Sequence, residues 1–279
     1  MNVTNCNRNE GFFVIEIIEK EYRIDGLNRT FTASILLPDD YDVLHTVRYP
    51  VLYVVGVNHL FDVHPTQLTH WNVKSSLDIM KKNKLIEPMI VVSIKGDNTF
   101  ELEDYVHNLN QGIFTDPAHK NKPFISNAKE VANLLVHGIK PDIDKSFRTK
   151  PDLLTTGIIG AGYSSIFALY ILSEYSHIFG KVGLFSMPLW LISNEIYLRA
   201  EQLILAEEAT IYHYIAEKET SNWVKNQYAI YLAKKLNTIL YKKCKQLKFV
   251  VGYGENANVI VYKERFPEAI LTLFRKEKS

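Results

Sequence analysis

The segment Gly160-Ala161-Gly162-Tyr163-Ser164-Ser165 has the spacing of a reactive turn, but its central position carries no reactive group. An apolar run at 153–159 precedes it, and a second apolar run begins at Ile166. Hydrolases use a strand, a sharp turn and a helix in this order to present a nucleophilic serine as Gly-x-Ser-x-Gly. Because position 162 is glycine, this turn has no side chain that could attack a carbonyl carbon.

Three residues next to Gly162 still carry groups that could react or bind a ligand. Ser164 and Ser165 are candidates for a displaced nucleophile, but they begin the predicted helix, where hydroxyls commonly bond to backbone carbonyls. No base is identifiable beside them, so this is the weaker interpretation. The backbone N–H of Tyr163 survives any side-chain change, and at a helix N-terminus it could hold a carboxylate or carbonyl oxygen. The alternative is an exposed aromatic ring above a pocket that has lost its use.

The composition limits the classes of protein that need to be considered. A length of 279 residues is ample for a full core, and 47% hydrophobic with 23% charged residues is ordinary for a globular protein. The formal net charge of +1 argues against a protein built to bind nucleic acid or an anionic membrane. Two cysteines, Cys6 and Cys244, are too few for a disulfide framework, which favours a reduced cytoplasmic setting.

No segment is predicted to cross or target a membrane. Residues 1–10 are polar, lack the apolar core of a signal peptide and are expected to be flexible. The uncharged run at 153–173 is long enough to span a bilayer, but Gly157, Gly160 and Gly162 interrupt it. A buried strand followed by a buried helix is the preferred interpretation.

Metal binding is a minor alternative. His59, His64 and His70 form the closest group of histidines, but their spacing does not match ligands on one helix face, and no cysteine or carboxylate cluster joins them. His107 and His119 fall in a long polar loop and could approach a cleft, although a solvated position suits them better. No metal or other cofactor is predicted.

Strands and helices alternate along most of the chain. Strands are predicted at 12–20, 29–37, 49–55, 88–94, 153–159, 182–186, 209–216 and 247–252, and helices at 73–86, 126–143, after Gly162, at 221–241 and at 266–274. Asp25-Gly26 joins the first two strands as an antiparallel edge. The remaining pattern predicts an α/β fold, with a mostly parallel sheet covered by helices on both faces. Without a repeat or a linker, residues 1–279 are interpreted as one domain.

Five segments in a fixed order resemble one family. They are LPDDYD at 37–42, YPVLYV at 49–54, EDY at 103–105, IKPDID with FRT at 139–149, and FGKV with SMPLW at 179–190. The chain resembles the Putative esterase family of α/β-hydrolases, which includes enterochelin esterases, S-formylglutathione hydrolases and the antigen 85 mycolyltransferases. The resemblance runs from about residue 29 to 274. It implies an α/β-hydrolase fold and the ancestry of a serine-dependent carboxylic ester hydrolase.

The departures from the family fall at its catalytic positions. Aligned on Tyr163, the family's serine corresponds to Gly162. Near the end of the chain Tyr262 and the segment RFPEA at 265–269 fix the register, which places the family's histidine at Ala257. Asn256 or Asn258 could fill that position instead, but an amide is not a base near neutral pH. A triad works as a unit, so these two losses predict at most residual catalysis.

Three further positions of the family's cleft can be located in this chain. The triad acid would follow the seventh strand, within 214–219, where Glu217 and Glu219 are available but have no histidine to orient. The Asp-Gly pair that often ends the family's third strand is Gly56-Val57 here. The loop that carries Trp190 lies beside the cleft in the family, and an aromatic lining suits an apolar or peptide-like ligand.

The segment 220–254 has seven lysines and no acidic residue. A solvated helix face is the preferred explanation, and a surface for an anionic partner is the alternative.

Together these features predict a catalytically silent relative of the esterases. It would use the hydrolase cleft or surface to bind a small molecule, a peptide or a partner protein, without nucleic acid or membrane, and a homo-oligomer is allowed. One alternative is altered, triad-independent chemistry such as isomerisation or epimerisation. Another is residual ester hydrolysis through a displaced nucleophile.

Overall fold

A computed structural model describes residues 2–3, 17–57, 60–61, 71–107, 124–192 and 194–276. His59, His64, His70, His119 and Cys6 lie outside these ranges, as do most of residues 1–10 and the first half of the strand predicted at 12–20. The predictions for these positions therefore stay predictions.

Within these ranges nine strands form one sheet in the order β1-β2-β3-β5-β4-β6-β7-β8-β9. The strands are β1 (Asn2–Val3), β2 (Ile17–Ile24), β3 (Arg29–Leu36), β4 (Val51–Val55), β5 (Ile90–Lys95), β6 (Thr156–Ala161), β7 (Lys181–Phe185), β8 (Thr210–Lys218) and β9 (Gln246–Asn256). Strands β1, β2, β3 and β5 pair antiparallel. Strands β5, β4, β6, β7, β8 and β9 pair parallel, which confirms the predicted mostly parallel sheet with an antiparallel N-terminal edge.

The central strands are apolar because helices cover both of their faces. Every residue of β4 is buried, and only the last residue of β5 is exposed. Strand β2 instead alternates between less and more exposed positions, as expected near the edge of the sheet. The apolar runs in the sequence therefore mark the middle of the sheet.

Eight α-helices of the described residues surround the sheet. They are α1 (Val73–Lys82), α2 (Glu101–Tyr105), α3 (Ala128–Asn133), α4 (Lys140–Ser146), α5 (Tyr163–Tyr175), α6 (Glu195–Gln202), α7 (Trp223–Leu240) and α8 (Val259–Phe274), and a π-helical segment, Leu134–Ile139, joins α3 to α4. Helices α1 and α8 pack in one hydrophobic cluster, while α3, α4, α5 and α7 pack in the other. Helix α5 is buried along most of its length, and its first residue follows Gly162 directly.

Three helices differ from the sequence prediction, and one of them is α2, which lies in the segment predicted to be a long polar loop. Helix α8 begins at Val259 rather than near Phe266, because the Asn258 side chain caps it by accepting a 3.1 Å hydrogen bond from the Val261 N–H. Pro267 therefore lies inside the helix, where it removes one backbone donor without ending the helix. Helix α6 was not predicted at all, since its eight residues give only a short apolar pattern.

The long uncharged segment divides at Gly162 into strand β6 and helix α5, as preferred from the sequence. In the described part of the chain, none of the helices has the length and apolarity needed to cross a bilayer. Cys244 is buried and unpaired, and its thiol donates to the Ala209 carbonyl. The cytoplasmic setting stays a prediction.

Candidate functional site

Gly162 forms the turn between β6 and α5 in a backbone conformation that side chains rarely adopt. Its φ and ψ are +61° and −127°, a combination that costs a residue with a Cβ about 1–3 kcal/mol. The Gly162 N–H donates a 2.9 Å hydrogen bond to the Phe185 carbonyl at the end of β7, which holds the turn against that strand. Apart from Gly162 itself and its two chain neighbours, no heavy atom of the described residues lies within 4 Å of the position a Cβ would take. The turn thus has the shape that presents a side chain to open space, but it has no side chain to present.

The hydroxyls of Ser164 and Ser165 are bound to the backbone of this same turn. Ser164 Oγ accepts from the Ala161 N–H and donates to the Ala161 carbonyl, both at 3.0 Å. Ser165 Oγ donates to the Gly162 carbonyl at 2.6 Å. Both side chains are buried. These hydroxyls stabilise the turn, and their partners include no base that could activate them as nucleophiles.

Gly56, at the end of β4, allows the neighbouring chain to approach this turn closely. Its φ is +66°, and a Cβ there would lie 2.7 Å from Ser164 Cβ and 2.8 Å from the Tyr105 ring. Its N–H already donates to the Ile94 carbonyl at 2.9 Å, so an oxyanion could not receive that hydrogen bond without breaking the existing one. Val57 follows and is buried. Tyr163 is the first residue of α5, where N–H groups have no acceptor within the helix.

Ala257 occupies the position that the resemblance assigns to histidine, and it lies beside β8. Its N–H donates a 3.0 Å hydrogen bond to the Lys218 carbonyl, and Lys218 pairs with Asn256 in the sheet. The half-buried methyl packs in the same cluster as Tyr262. The Asn258 side chain is used as the cap of α8. The geometry therefore places no basic side chain at 256–258.

The described histidines with assigned contacts pack in other parts of the fold. His213 lies inside the sheet on β8, with its Nδ1 2.7 Å from Asn237 Nδ2, and burial lowers its pKa to about 4. The His107 ring lies 4.8 Å from the Tyr170 ring, and the His137 ring lies 6.2 Å from the Tyr175 ring. These contacts belong to α5 and α7, away from Ala257.

Glu219, just after β8, is the one of the two predicted carboxylates that lies in the site. Its Oε1 accepts a 2.8 Å hydrogen bond from the Ala216 N–H. Burial raises its pKa to about 7, although the Ser186 hydroxyl and the Ala216 N–H act in the opposite direction. Glu217 instead accepts a 2.7 Å hydrogen bond from the Gly254 N–H on β9 and lies at a more exposed position. Of the two, we therefore take Glu219 as the candidate for the acid position.

Ser186 and Tyr262 complete the site, and the sequence did not single them out for chemistry. Ser186 directly follows β7, has a φ of +48° and is 3% exposed. Within the described residues its Oγ has no partner that satisfies hydrogen-bond geometry, yet it lies close enough to lower the pKa of both Glu219 and Tyr262. Burial outweighs it at Tyr262, whose pKa is raised.

Sheet register explains why these residues meet. The Gly162 N–H binds the Phe185 carbonyl, and the Ser186 N–H binds the Tyr214 carbonyl at 2.8 Å. Gly162, Ser186 and Glu219 directly follow the adjacent parallel strands β6, β7 and β8. They therefore lie at the same, carboxyl-terminal end of these strands. The only signal available from sequence was that Ser186 follows a buried strand next to the turn strand.

A comparison with protein families shows to which family the chain belongs. Residues 24–248, well over half of the chain, match the model described as Putative esterase. The chain belongs to the Putative esterase family. No curated protein matches the sequence.

Solved structures show the same fold at low sequence identity. The BES protein from Bacillus cereus has a TM-score of 0.74 and 17% identity, with 96% of this chain and 99% of that chain covered. An IroE-like serine hydrolase from Shewanella oneidensis has a TM-score of 0.70 and 19% identity, covering 93% and 80%. The siderophore hydrolase EstB from Aspergillus nidulans has a TM-score of 0.70 and 12% identity, covering 98% and 99%. These likenesses establish the α/β-hydrolase fold.

Trp190 packs against a different hydrophobic cluster from the one that Ala257 and Tyr262 pack against. It belongs to a short 3₁₀ turn, Leu189–Leu191, after β7, and packs half-buried against the core that contains α5 and α7. Lys225 Nζ of α7 lies 5.2 Å from the centre of its ring. Trp190 is thus covered from the α7 side, while Ala257 and Tyr262 pack on the α8 side.

Several lysines of 220–254 have contacts within the protein. Lys245 pairs with Glu207, Lys248 pairs with Glu268 at 2.7 Å, and Lys235 Nζ lies 4.3 Å from the Tyr197 ring centre. Lys235 lies on α7, whereas Lys245 and Lys248 follow that helix, so the lysines do not form one helix face. An anionic partner stays the alternative. Across the described ranges, no three His, Cys, Asp or Glu side chains are grouped to hold a metal ion.

Proposed function

We propose that this esterase-family protein is catalytically silent and binds a ligand in its cleft without cleaving it. The observation that carries the proposal is Gly162, a turn with the backbone of a nucleophile position and no side chain. The adjacent hydroxyls of Ser164 and Ser165 are both bonded to the turn itself.

The position opposite the turn supports the same conclusion. Acyl transfer by a serine needs a base to take its proton, and the methyl of Ala257 cannot do so. Members of a catalytic triad act together, so the loss of two leaves only the small contributions of binding and oxyanion stabilisation. A single substitution at Gly162 would therefore not recover the chemistry.

Binding does not depend on the lost groups. The core and the turn hold the cleft in place, while catalysis depends on a few side chains at its edge. Open space lies beside Gly162 within the described residues. The N-terminus of α5 next to it favours a carbonyl or carboxylate oxygen. A small molecule or peptide suits this arrangement, and a partner protein presenting such a group is the alternative.

Three proteins test the proposal: the wild type, Gly162→Ser, and Gly162→Ser combined with Ala257→His. Each is assayed with p-nitrophenyl acetate and with a fluorophosphonate that labels active serines. We expect no turnover or labelling in the wild type and little in the single variant. We expect a gain of about 100-fold in the double variant, which is typical of an added general base.

Gly254→Ser is the matched control, because Gly254 also has a positive φ of +78° and no described atom within 4 Å of a Cβ, but lies outside the turn. It should show the cost in stability without any labelling. Robust turnover of the wild type with stoichiometric labelling would refute the silent-enzyme proposal.

Proton transfer by Glu219 is the second candidate function. A carboxyl group with a pKa of about 7 is balanced between acid and base at neutral pH. It could remove a proton from a carbon next to a carbonyl group and return it to the same carbon. Incubation of carbonyl compounds in D₂O would then give deuterium exchange that Glu219→Gln abolishes and Glu217→Gln retains. No exchange across a broad panel would count against this function.

A further inference from the structure

Glu219 is a partly buried acid without a cationic neighbour in the described structure. The groups that face it are the Ala216 N–H and the Tyr214 phenol from β8, the Ser186 hydroxyl after β7, and the Tyr262 phenol from α8. Arg265, the cation of the adjacent network, is engaged with Glu255 and Glu268. A buried carboxylate is normally paired or protonated, so this one lacks the partner that would keep it ionised.

Open space beside Gly162 and a hydroxyl without a well-formed hydrogen bond, that of Ser186, lie at the same end of the strands as this carboxyl group. Gly162 has no side chain and no described neighbour within 4 Å of a Cβ position. Ala257, bonded through its N–H to the residue before Glu219, contributes only a methyl group. The Ser186 Oγ is buried and has no well-formed hydrogen bond among the described residues, although buried hydroxyls generally have one.

We propose that the ligand of this cleft carries a protonated nitrogen, an alkylammonium or imidazolium group, that ion-pairs with the Glu219 carboxylate and donates a hydrogen bond to Ser186 Oγ. The inference rests on the proposed function and adds the chemical class of the ligand. The cation occupies the open space at this end of β6, β7 and β8 and supplies the counter-charge that Glu219 lacks among the described residues.

The electrostatics of the site support this choice. A cation near a carboxylate favours its ionised form, so binding lowers the pKa of Glu219 from about 7. The protein releases protons on binding near neutral pH, and affinity increases as pH rises through about 7. The phenols of Tyr214 and Tyr262 stay neutral in this range because burial raises their pKa. The pH dependence therefore belongs to Glu219.

The test compares benzylammonium with its neutral counterpart, benzyl alcohol, by calorimetric titration of the whole protein. At about pH 8 we expect the wild type to bind the cation about tenfold more tightly than the alcohol. At about pH 5, where Glu219 is protonated, the two should bind within about twofold of each other. Glu219→Gln should remove the preference at both pH values, whereas the control Glu217→Gln should keep it.

A variant with its own cation provides a second measurement. Ala257→His places an imidazole in the proposed space, and NMR titration should show its pKa above the ordinary 6.5 and that of Glu219 below about 7. Adding Glu219→Gln to this variant should return the imidazole to its ordinary value.

Two results would overturn the inference. One is equal affinity of the wild type for the cation and the alcohol at about pH 8, and the other is a preference that persists in Glu219→Gln. Either would leave the proposed function standing, because that is decided separately by turnover and fluorophosphonate labelling of the wild type. Labelling of the wild type would end the silent-enzyme proposal whether or not the cation binds.

Discussion

Two carboxyl groups at one edge of the sheet, Glu219 and Glu255, have opposite electrostatic environments. Both are partly buried, and burial acts to raise the pKa of each. Glu255 nevertheless has a lowered pKa, because Arg265 and the Tyr214 hydroxyl donate hydrogen bonds to it. Glu219 has one backbone N–H and one nearby hydroxyl, and its pKa is raised to about 7. The partners of each group, rather than burial alone, determine which form is stable.

The backbone around Glu255 is adapted to its ion pair. A Cβ on Gly252 would lie 2.1 Å from Glu255 Oε2, so a side chain there would displace this carboxylate from its present position beside Arg265. Arg265 also binds Glu268 at 3.3 Å, and Glu268 in turn accepts a 3.0 Å hydrogen bond from Tyr212. Glu255 thus belongs to a satisfied structural network. Glu219 has no such network among the described residues, and the proposed ligand contact rests on that difference.

The largest expected effect is that of Glu219→Gln on stability at high pH. The raised pKa means that the folded protein holds this proton more tightly than the unfolded chain, so the wild type loses stability as pH rises from 4.5 to about 7. The full difference would be roughly 3 kcal/mol, reduced by the partial exposure of the side chain. Urea unfolding should show the variant gaining stability over the wild type through this window and no further above it. A parallel pH dependence in the two proteins would contradict the assignment.

Arg265→Met should have the next largest effect, in the opposite direction. Removing Arg265 takes the only described cationic partner from Glu255 and one of two from Glu268, which Lys248 still pairs. This loss should cost about 2 kcal/mol at neutral pH, less than for a fully buried pair. The lowered pKa of Glu255 means that the stabilisation is present above its ordinary pKa and is lost as pH falls. Relative to the wild type, the variant should therefore lose much stability at neutral pH and little at about pH 3. An equal loss at both would point to lost packing instead.

The sequence predicted the sheet and the turn, because both depend on local patterns. Apolar runs identified β4, β5 and β6 within a few residues, since central strands are covered on both faces. The glycines around position 162 identified the turn between β6 and α5. The start of α8 was missed because Pro267 resembled the first turn of a helix, whereas Asn258 caps it nine residues earlier.

The acid site could be predicted only in part. The resemblance placed the acid within 214–219, but the choice of Glu219 over Glu217 needed the hydrogen bonds to Ala216 and Gly254. The sequence did not single out Ser186, because the lack of a well-formed hydrogen bond at its hydroxyl results from the packing between β7 and α8. No local pattern states which hydroxyl after a strand will lack a partner.

Tyr214→Phe tests the second partner of Glu255 with a smaller effect. The Tyr214 hydroxyl donates a 2.8 Å hydrogen bond to Glu255 Oε2, and loss of a hydrogen bond to a charged group costs about 1.5 kcal/mol. The pKa of Glu255 should rise, while that of Glu219 should change little, because the two groups have separate hydrogen-bond partners. Carboxyl ¹³C NMR titration measures both in one sample. An equal shift at both groups would show that they form one coupled network.

Ser186→Ala should change stability least and still distinguish the two carboxyl groups. Its hydroxyl has no well-formed bond to lose within the described residues, so unfolding at about pH 5 should differ by less than about 0.5 kcal/mol. That hydroxyl lowers the pKa of Glu219, so its removal should move the pKa above about 7 and leave Glu255 unchanged. Ser165→Ala is the matched control, because its hydroxyl donates to Gly162 and does not contact Glu219. The control should lose about 1 kcal/mol of stability without shifting the Glu219 pKa. If Ser186→Ala leaves that pKa unchanged, the hydroxyl does not solvate the carboxylate, and the ligand contact assigned to it loses its basis.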